Sequence, residues 1–283
     1  MKFIHSAKSI VRPFYVMLIP ASIRHLIGKD KASNRAAAWR SFVSTCRNFR
    51  VEQARSLKAV RRIAISRGFT YFLDYDKQIA TKKREFMSAV SFFKIPLKGQ
   101  RVLDVGPGTA DSLDVAKAEG AAQTLFIEEE PIFVRFAQLK GHTGIRHNYT
   151  FTPFFPAGWK GTLDFIYTKG SINCQWVNEQ HAKREAGNID GYFDFDAWVK
   201  ELIALIQPTG HIVLLPAMWR QPTRIIDEAY DLDTYYWCPD IAAYRTSFFT
   251  QTLLKYGFRA VDNVPGLTQE QAFPLAFYYG PRA

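Results

Sequence analysis

A buried-strand pattern that runs directly into a glycine turn constrains this chain more than any other part of its sequence. Val102, Leu103 and Val105 are apolar, glycines follow at 106 and 108, and a helical pattern opens at Asp111. Glycine lets the backbone approach a ligand, and a helix start presents unpaired N–H groups with a partial positive charge. The stretch therefore predicts an α/β fold with a nucleotide-type site at the turn.

The residues around the turn distinguish between nucleotide ligands. A dinucleotide fingerprint has a third glycine where Asp111 stands, and the Asp111 carboxylate would crowd and repel a pyrophosphate. We therefore predict that the ligand is neither NAD nor FAD. Asp104 can accept a hydrogen bond from an ammonium group or order the turn. A second apolar strand ends at Glu128, twenty residues after Gly108, where a carboxylate suits ribose hydroxyls.

These residues resemble the class I S-adenosylmethionine-dependent methyltransferases. Asp104-x-Gly106-x-Gly108 matches their first motif, and Glu128 matches the acidic end of their second strand, whereas Ala110 departs from a frequent third glycine. The resemblance covers about residues 95 to 283. It implies a Rossmann-like, mostly parallel sheet of seven strands with the last strand antiparallel. It also implies S-adenosylmethionine as the cofactor, bound by Asp104, Gly106, Pro107, Gly108, Thr109, Glu128, Glu129 and Thr168.

Residues 1–94 are predicted to form a basic helical extension before the methyltransferase domain at 95–283. The first 67 residues hold fifteen basic side chains against two acidic ones, so the net charge of +11 belongs to this segment. With the apolar run Phe14–Ile19, they predict contact with an anionic membrane surface. A solvated face, an acidic polymer partner, or packing of Phe14–Ile19 on the main domain are alternatives. The stretch from Arg12 to Arg24 is also similar to the opening of bacterial enzymes that build surface polysaccharides.

Hydrophobic spacing predicts the remaining elements. The pattern turns helical from Ser33, and the apolar spacing from Val51 to Ala64 continues it to a predicted end at Gly68. Asp76 is predicted to cap a second helix that ends at Ile95-Pro96. Later strands are predicted at Ile145–Tyr149, Leu163–Tyr167, His211–Leu215, Phe258–Val264 and Phe273–Tyr279. Ligands bind at the carboxyl ends of strands in open α/β sheets, so residues 168–171 should face the transferred methyl group.

The methyl acceptor is predicted to be an oxygen atom. The Asn/Asp-Pro-Pro-Tyr/Phe signature of N-methylation is absent after the fourth strand. The ends of the fourth and fifth strands carry no paired carboxylates, which argues against a metal-dependent site. Cys174 lacks the usual setting of a pyrimidine-methylating nucleophile and is predicted to be a small buried thiol. His181 is the candidate base, with a surface histidine as the alternative. Lys169 could orient a phosphate or carboxylate of the acceptor, or pair with a nearby acid.

An insert over 216–240 is the predicted acceptor wall, because it is rich in aromatic residues. Its acidic side chains outnumber its basic ones, which disfavours nucleic acid there. The candidate acceptor contacts are Tyr71, Tyr75, Trp219, Tyr235 and Tyr236.

The sequence predicts a cytoplasmic, metal-free O-methyltransferase acting on a sugar, a glycan or a lipid-linked glycan at the inner membrane face. The three separated cysteines agree with a reducing compartment. Two alternatives remain: an RNA or protein methyltransferase that grips its polymer with the basic helices, and a non-catalytic cofactor-binding scaffold.

Overall fold

The computed structural model describes residues 43–45, 48–69, 72–73, 75–187, 192–217, 241–267 and 275–281. Tyr71, Phe14–Ile19 and nearly all of the predicted acceptor wall, including Trp219, Tyr235 and Tyr236, lie outside them. The chain divides into two compact units, Met1–Gln53 and Ala54–Ala283. In the first unit residues 48–52 are helical, and all elements labelled below belong to the second.

The second unit is built on one seven-stranded sheet, which confirms the predicted fold class. The strand order is β3-β2-β1-β4-β5-β7-β6, and β7 runs antiparallel to both of its neighbours. β1 pairs in parallel with β2 and β4, so the order reverses direction at β1 and β4. The strands are β1 Arg101–Val105, β2 Gln123–Glu128, β3 Thr143–Arg146, β4 Leu163–Asn173, β5 Ile206–Ala217, β6 Arg259–Val261 and β7 Ala276–Tyr279.

Helices cover both faces of this sheet. One apolar core joins the sheet to α2, α3 and α4, and the other joins it to α5, α6 and α8. The helices are α1 Leu57–Ser66, α2 Tyr75–Phe92, α3 Asp111–Ala118, α4 Pro131–Leu139, α5 Cys174–Glu185, α6 Phe195–Leu205, α7 Ile241–Thr246 and α8 Phe248–Lys255. Along each strand, alternate residues enter opposite cores, as the two-residue repeat of a strand requires. Asp104 therefore faces the α2 side, whereas Val105 faces the α5 side.

Several predicted boundaries were wrong. The helix predicted to end at Gly68 is interrupted at 53–56, because the Ser56 hydroxyl accepts a hydrogen bond from the Ala59 N–H and starts α1 there. Asp76 lies within the first turn of α2 and does not cap it; its carboxylate pairs with Arg61 at 3.1 Å. β3 occupies residues 143–146, so Tyr149 lies in the following loop.

β4 is longer than predicted. It continues through Thr168–Ser171 to Asn173, with a register irregularity against β5 between Lys169 and Asn173. Residues 168–171 are therefore part of the strand end and not a loop beyond it. They still lie at the carboxyl edge, beside the end of β1, where open α/β sheets bind ligands.

Candidate functional site

The site is built on the turn that joins β1 to α3. Gly106, Gly108 and Ala110 have positive φ angles of 69°, 55° and 58°. A left-handed backbone costs an alanine on the order of 1 kcal/mol, so Ala110 is held there by its surroundings. Pro107 is buried, and its carbonyl oxygen accepts the Ala110 N–H at 3.0 Å. The turn is thus closed by its own backbone hydrogen bond, without a ligand.

Gly106 has a packing role that the sequence did not predict. A Cβ atom at this position would lie 2.3 Å from the Ser171 Oγ atom. Ser171 Oγ donates to the carbonyl oxygen of Val105 at 2.6 Å, and the Tyr149 hydroxyl donates to the Ser171 carbonyl at 2.8 Å. Gly106 therefore lets the turn pack against β4, whereas a Cβ atom on Gly108 would lie at an ordinary contact distance of 3.9 Å from Lys82 Nζ.

Asp104 is a buried carboxylate beneath the turn. Its Oδ2 atom accepts a hydrogen bond from the Ser112 hydroxyl of α3. Burial raises the pKa of Asp104 to about 7, although the Ser112 bond and the positive charges of Lys82 and Lys169 oppose that rise. The predicted contact with an ammonium group fits this position, because a cation would favour the ionised form.

Glu128, at the end of β2, is tied to the turn. Its carboxylate accepts the N–H groups of Gly108 at 3.2 Å, Glu129 at 2.9 Å and Glu130 at 3.0 Å. Burial raises the pKa of Glu128 to about 7 against these three bonds. A carboxylate has about four acceptor positions, so one remains. Holding two ribose hydroxyls, as predicted from the sequence, would require one of the three bonds to give way. The neighbouring Glu129 side chain is exposed.

The negative charge of Asp111 is balanced by the ammonium group of Lys140. Repulsion of a pyrophosphate by Asp111, which the sequence predicted, is therefore weaker than expected. Asp111 accepts hydrogen bonds from Thr109 Oγ1 at 2.7 Å, the Tyr75 hydroxyl at 2.9 Å and Lys140 Nζ at 2.8 Å. Lys140 also bonds the Thr109 carbonyl at 2.7 Å and Asp114 at 2.8 Å. The Lys140 charge weakens any repulsion of a phosphate by Asp111. The hydroxyls of Thr109 and Tyr75 are used in ordering the turn.

Two charged residues of α2 at the site were missed by the sequence interpretation. Glu85 forms an ion pair with Lys169 of β4, so Lys169 has the nearby acid that was its alternative role. Lys82 Nζ lies 3.9 Å from where a Cβ atom on Gly108 would be. Burial lowers the pKa of both lysines. A signal was present: Lys82 falls between the inward-facing positions Ile79 and Phe86 at helical spacing.

The remaining candidates lie on the opposite face of the sheet. Thr168 is buried, and among the described residues its hydroxyl has no hydrogen-bond partner. His181 stacks on Phe248 of α8 with ring centroids 3.7 Å apart, and its Nδ1 atom is buried without a partner in the same part of the chain. Cys174 is a buried free thiol, as predicted. The structure thus brings the turn residues together with Lys169 and Tyr75, and places His181 in a helix-packing contact.

In the part of the chain that the structure describes, every helix is too short or too polar to span a bilayer. The same residues include no group of three or more His, Cys, Asp or Glu side chains that could hold a metal ion.

Comparison with known proteins found similar folds only. No family model and no curated protein matches the chain. A methyltransferase structure from Mesorhizobium loti is 13% identical, covering 67% of this chain and 94% of its own, with a TM-score of 0.40. One from Aquifex aeolicus is 16% identical over 68% and 86%, with a TM-score of 0.37. Aeropyrum pernix fibrillarin, solved with S-adenosyl-L-methionine, is 12% identical over 65% and 68%, with a TM-score of 0.39.

Proposed function

We propose that this chain is an S-adenosylmethionine-dependent methyltransferase. The observation that carries the proposal is the pair of buried carboxylates, Asp104 and Glu128, on either side of the glycine turn. Because burial raises the pKa of each to about 7, a positively charged ligand would offset the cost of ionising them. A pyrophosphate would meet two carboxylates instead. A sulfonium nucleoside brings a positive charge and no phosphate.

The residues of the turn fit this cofactor. Glu128 keeps an acceptor position for a ribose hydroxyl, and Asp104 lies where an ammonium group would favour its ionised form. When bound, the cofactor supplies a methyl group on a positively charged sulfur atom. α2 lies over the turn through the Tyr75–Asp111 hydrogen bond, and it would limit access of water. His181 remains the proposed base for the acceptor hydroxyl, and Thr168 a proposed cofactor contact.

The proposed acceptor is a hydroxyl group of a sugar, a glycan or a lipid-linked glycan. Support comes from the aromatic side chains of the insert, among them Trp219, Tyr235 and Tyr236, which suit the faces of sugar rings. The excess of acids in the same insert disfavours a nucleic acid and provides acceptors for hydroxyl groups.

The proposed place of action is the surface of an anionic membrane. α1 exposes Lys58 and Arg62 next to Leu57 and Ile65, whose exposed fractions are both 38%. Leu73, shortly after α1, is 57% exposed. No acidic residue occurs between 54 and 69. Exposed apolar side chains among basic ones suit a lipid headgroup layer better than a polyanion alone. We propose that the protein is a cytoplasmic enzyme peripheral to that membrane.

Methyl transfer tests the enzymatic proposal directly. The protein is incubated with methyl-labelled S-adenosylmethionine and, separately, with free sugars, lipid-linked glycans, RNA or protein extract, followed by intact-mass analysis. We expect one added methyl group on a glycan acceptor, and slower transfer by the Glu128→Ala variant when the cofactor is limiting. Transfer to RNA or protein would move the assignment to the polymer-modifying alternative. Cofactor binding without transfer to any class would support a non-catalytic scaffold.

Membrane attachment is tested by co-sedimentation with phosphatidylserine vesicles across a salt series. We expect binding that salt weakens but does not abolish, because the apolar contribution is not screened. Leu57→Ser with Ile65→Ser and Leu73→Ser should remove the salt-resistant part. Leu254→Ser, at an exposed leucine of α8, is the matched control and should leave binding unchanged. RNA binding that falls linearly with the logarithm of salt concentration, without vesicle binding, would contradict the membrane proposal.

A further inference from the structure

A lysine of α2 reaches the ligand side of the glycine turn. Lys82 lies four and seven residues before Phe86 and Ala89 of the core, on the same face of α2, and its Nζ atom lies 3.9 Å from the position of a Cβ atom on Gly108. Lysine side chains are rarely placed on an inward face, because burial of the ammonium group is costly. The cost indicates a specific electrostatic role at this point of the turn.

The surroundings of Lys82 contain both signs of charge. The carboxylates of Asp111, Asp104 and Glu85 act on it electrostatically, and so does the ammonium group of Lys140. Most of these acids have other donors: Lys140, Tyr75 and Thr109 bond Asp111, Lys169 pairs with Glu85, and Ser112 bonds Asp104. Positive and negative groups thus alternate in one small region next to the turn.

A further polar group is close enough to the same carboxylates to interact with them electrostatically. The Tyr167 hydroxyl on β4 is buried and has no hydrogen-bond partner among the described residues. The negative charges of Asp104 and Glu85 both act on it. A buried hydroxyl without a partner costs on the order of 1–3 kcal/mol, and a ligand atom could satisfy it. Ligands with one positive and one negative group suit such a region, because they add no net charge.

We infer that Lys82 recognises the carboxylate of an α-amino-acid group bound beside Gly108, with Asp104 on the side of its ammonium group. The inference rests on the proposed function, since the amino-acid group is that of S-adenosylmethionine. It adds a positioning residue from α2, a helix outside the glycine-turn motif. Lys82 then selects cofactors that carry the carboxylate over the same nucleoside without it.

Ligands that differ by single groups test this assignment by calorimetry. S-Adenosylhomocysteine carries the whole amino-acid group, 5′-methylthioadenosine lacks it, and decarboxylated S-adenosylmethionine lacks the carboxylate alone. Lys82→Met should weaken S-adenosylhomocysteine binding about 10- to 100-fold, as expected for a charge-assisted hydrogen bond. Its binding of methylthioadenosine should stay within about twofold of the wild type, which also shows that the site is folded.

The decarboxylated ligand gives the sharper criterion. The wild type should prefer S-adenosylmethionine over the decarboxylated form, and the preference should disappear in Lys82→Met, as in a double-mutant cycle. Lys83→Met, at the next position of α2, is the matched control and should behave as the wild type. A preference that survives in Lys82→Met, or an equal weakening of binding for all the ligands, would overturn the role of Lys82 and leave the cofactor proposal standing. A wild type that binds none of them would overturn the cofactor proposal as well.

Discussion

The ligand-free Asp104→Asn variant should gain stability relative to the wild type as the pH rises from 5 to 8. Asp104 is only 3% exposed, and burial raises its pKa from the ordinary 3.8 to about 7. The folded protein therefore binds a proton here that the unfolded chain releases. Stability conferred by this group is fully present below pH 4 and is lost as the pH rises towards 7. Asparagine does not titrate, so the variant avoids that loss.

The magnitude follows from the two pKa values. A difference of about three units corresponds to about 4 kcal/mol at full ionisation, since one unit is worth about 1.4 kcal/mol. Part of the cost is already present at pH 5, because the unfolded carboxyl is ionised there. Between pH 5 and pH 8 the wild type should lose about 2–3 kcal/mol relative to Asp104→Asn. The asparagine N–H groups need new partners, at about 1–3 kcal/mol, but that cost is independent of pH.

Urea unfolding of the ligand-free wild type and variant at pH 5, 6, 7 and 8 measures the difference. Asp114→Asn is the control, because the pKa of that carboxyl is shifted in the opposite direction. Burial opposes ionisation of Asp114, but hydrogen bonds from His142 and Lys140 outweigh it and hold its pKa below the usual range. That variant should be less stable by a constant amount across this pH range. A constant difference between wild type and Asp104→Asn would show that our account of the buried carboxylate is wrong.

Three further predictions concern residues around the turn. Gly106→Ala should destabilise the protein by about 2–4 kcal/mol in thermal unfolding, because the new Cβ atom would overlap Ser171 and the φ angle is positive. Adding Ser171→Gly to this variant should restore only the part of the stability lost through packing. Full restoration would contradict a contribution from the backbone. Glu128→Ala should weaken S-adenosylhomocysteine binding by about 1–3 kcal/mol in calorimetry, and unchanged affinity would remove it from the ribose site. His181→Gln should lower methyl transfer to an identified acceptor about 100-fold with cofactor affinity intact. Unchanged transfer with reduced stability would assign His181 to its stack on Phe248 alone.

The sequence was most informative where the structure depends on neighbouring residues. The apolar run of β1, the two glycines and the acid at Glu128 follow one another at short range, and the predicted strand, turn and second strand were confirmed. The contact of Gly106 with Ser171 joins residues far apart in the chain, and no local pattern indicates it.

Partners of charged residues were the least predictable part of the site. Whether Asp111 repels a ligand depends on Lys140, which arrives from the end of α4. Lys82 was detectable, since a lysine interrupts the inward stripe of α2, but its proximity to Gly108 depends on how the helix packs on the sheet. Helix spacing identifies the inner face of α2 and leaves open which part of the sheet it covers.

The strand order has a consequence for how the sheet opens. Among the strands that the structure describes, β6 joins the sheet only through β7, which lies between it and β5. Any fluctuation that separates β7 from β5 also takes β6 away from the rest of the sheet, because β6 stays paired with β7. β1 and β4, which carry the glycine turn and Ser171, lie beyond β5 and keep their own pairing during such an opening. This edge of the sheet can therefore open locally while the glycine turn stays ordered.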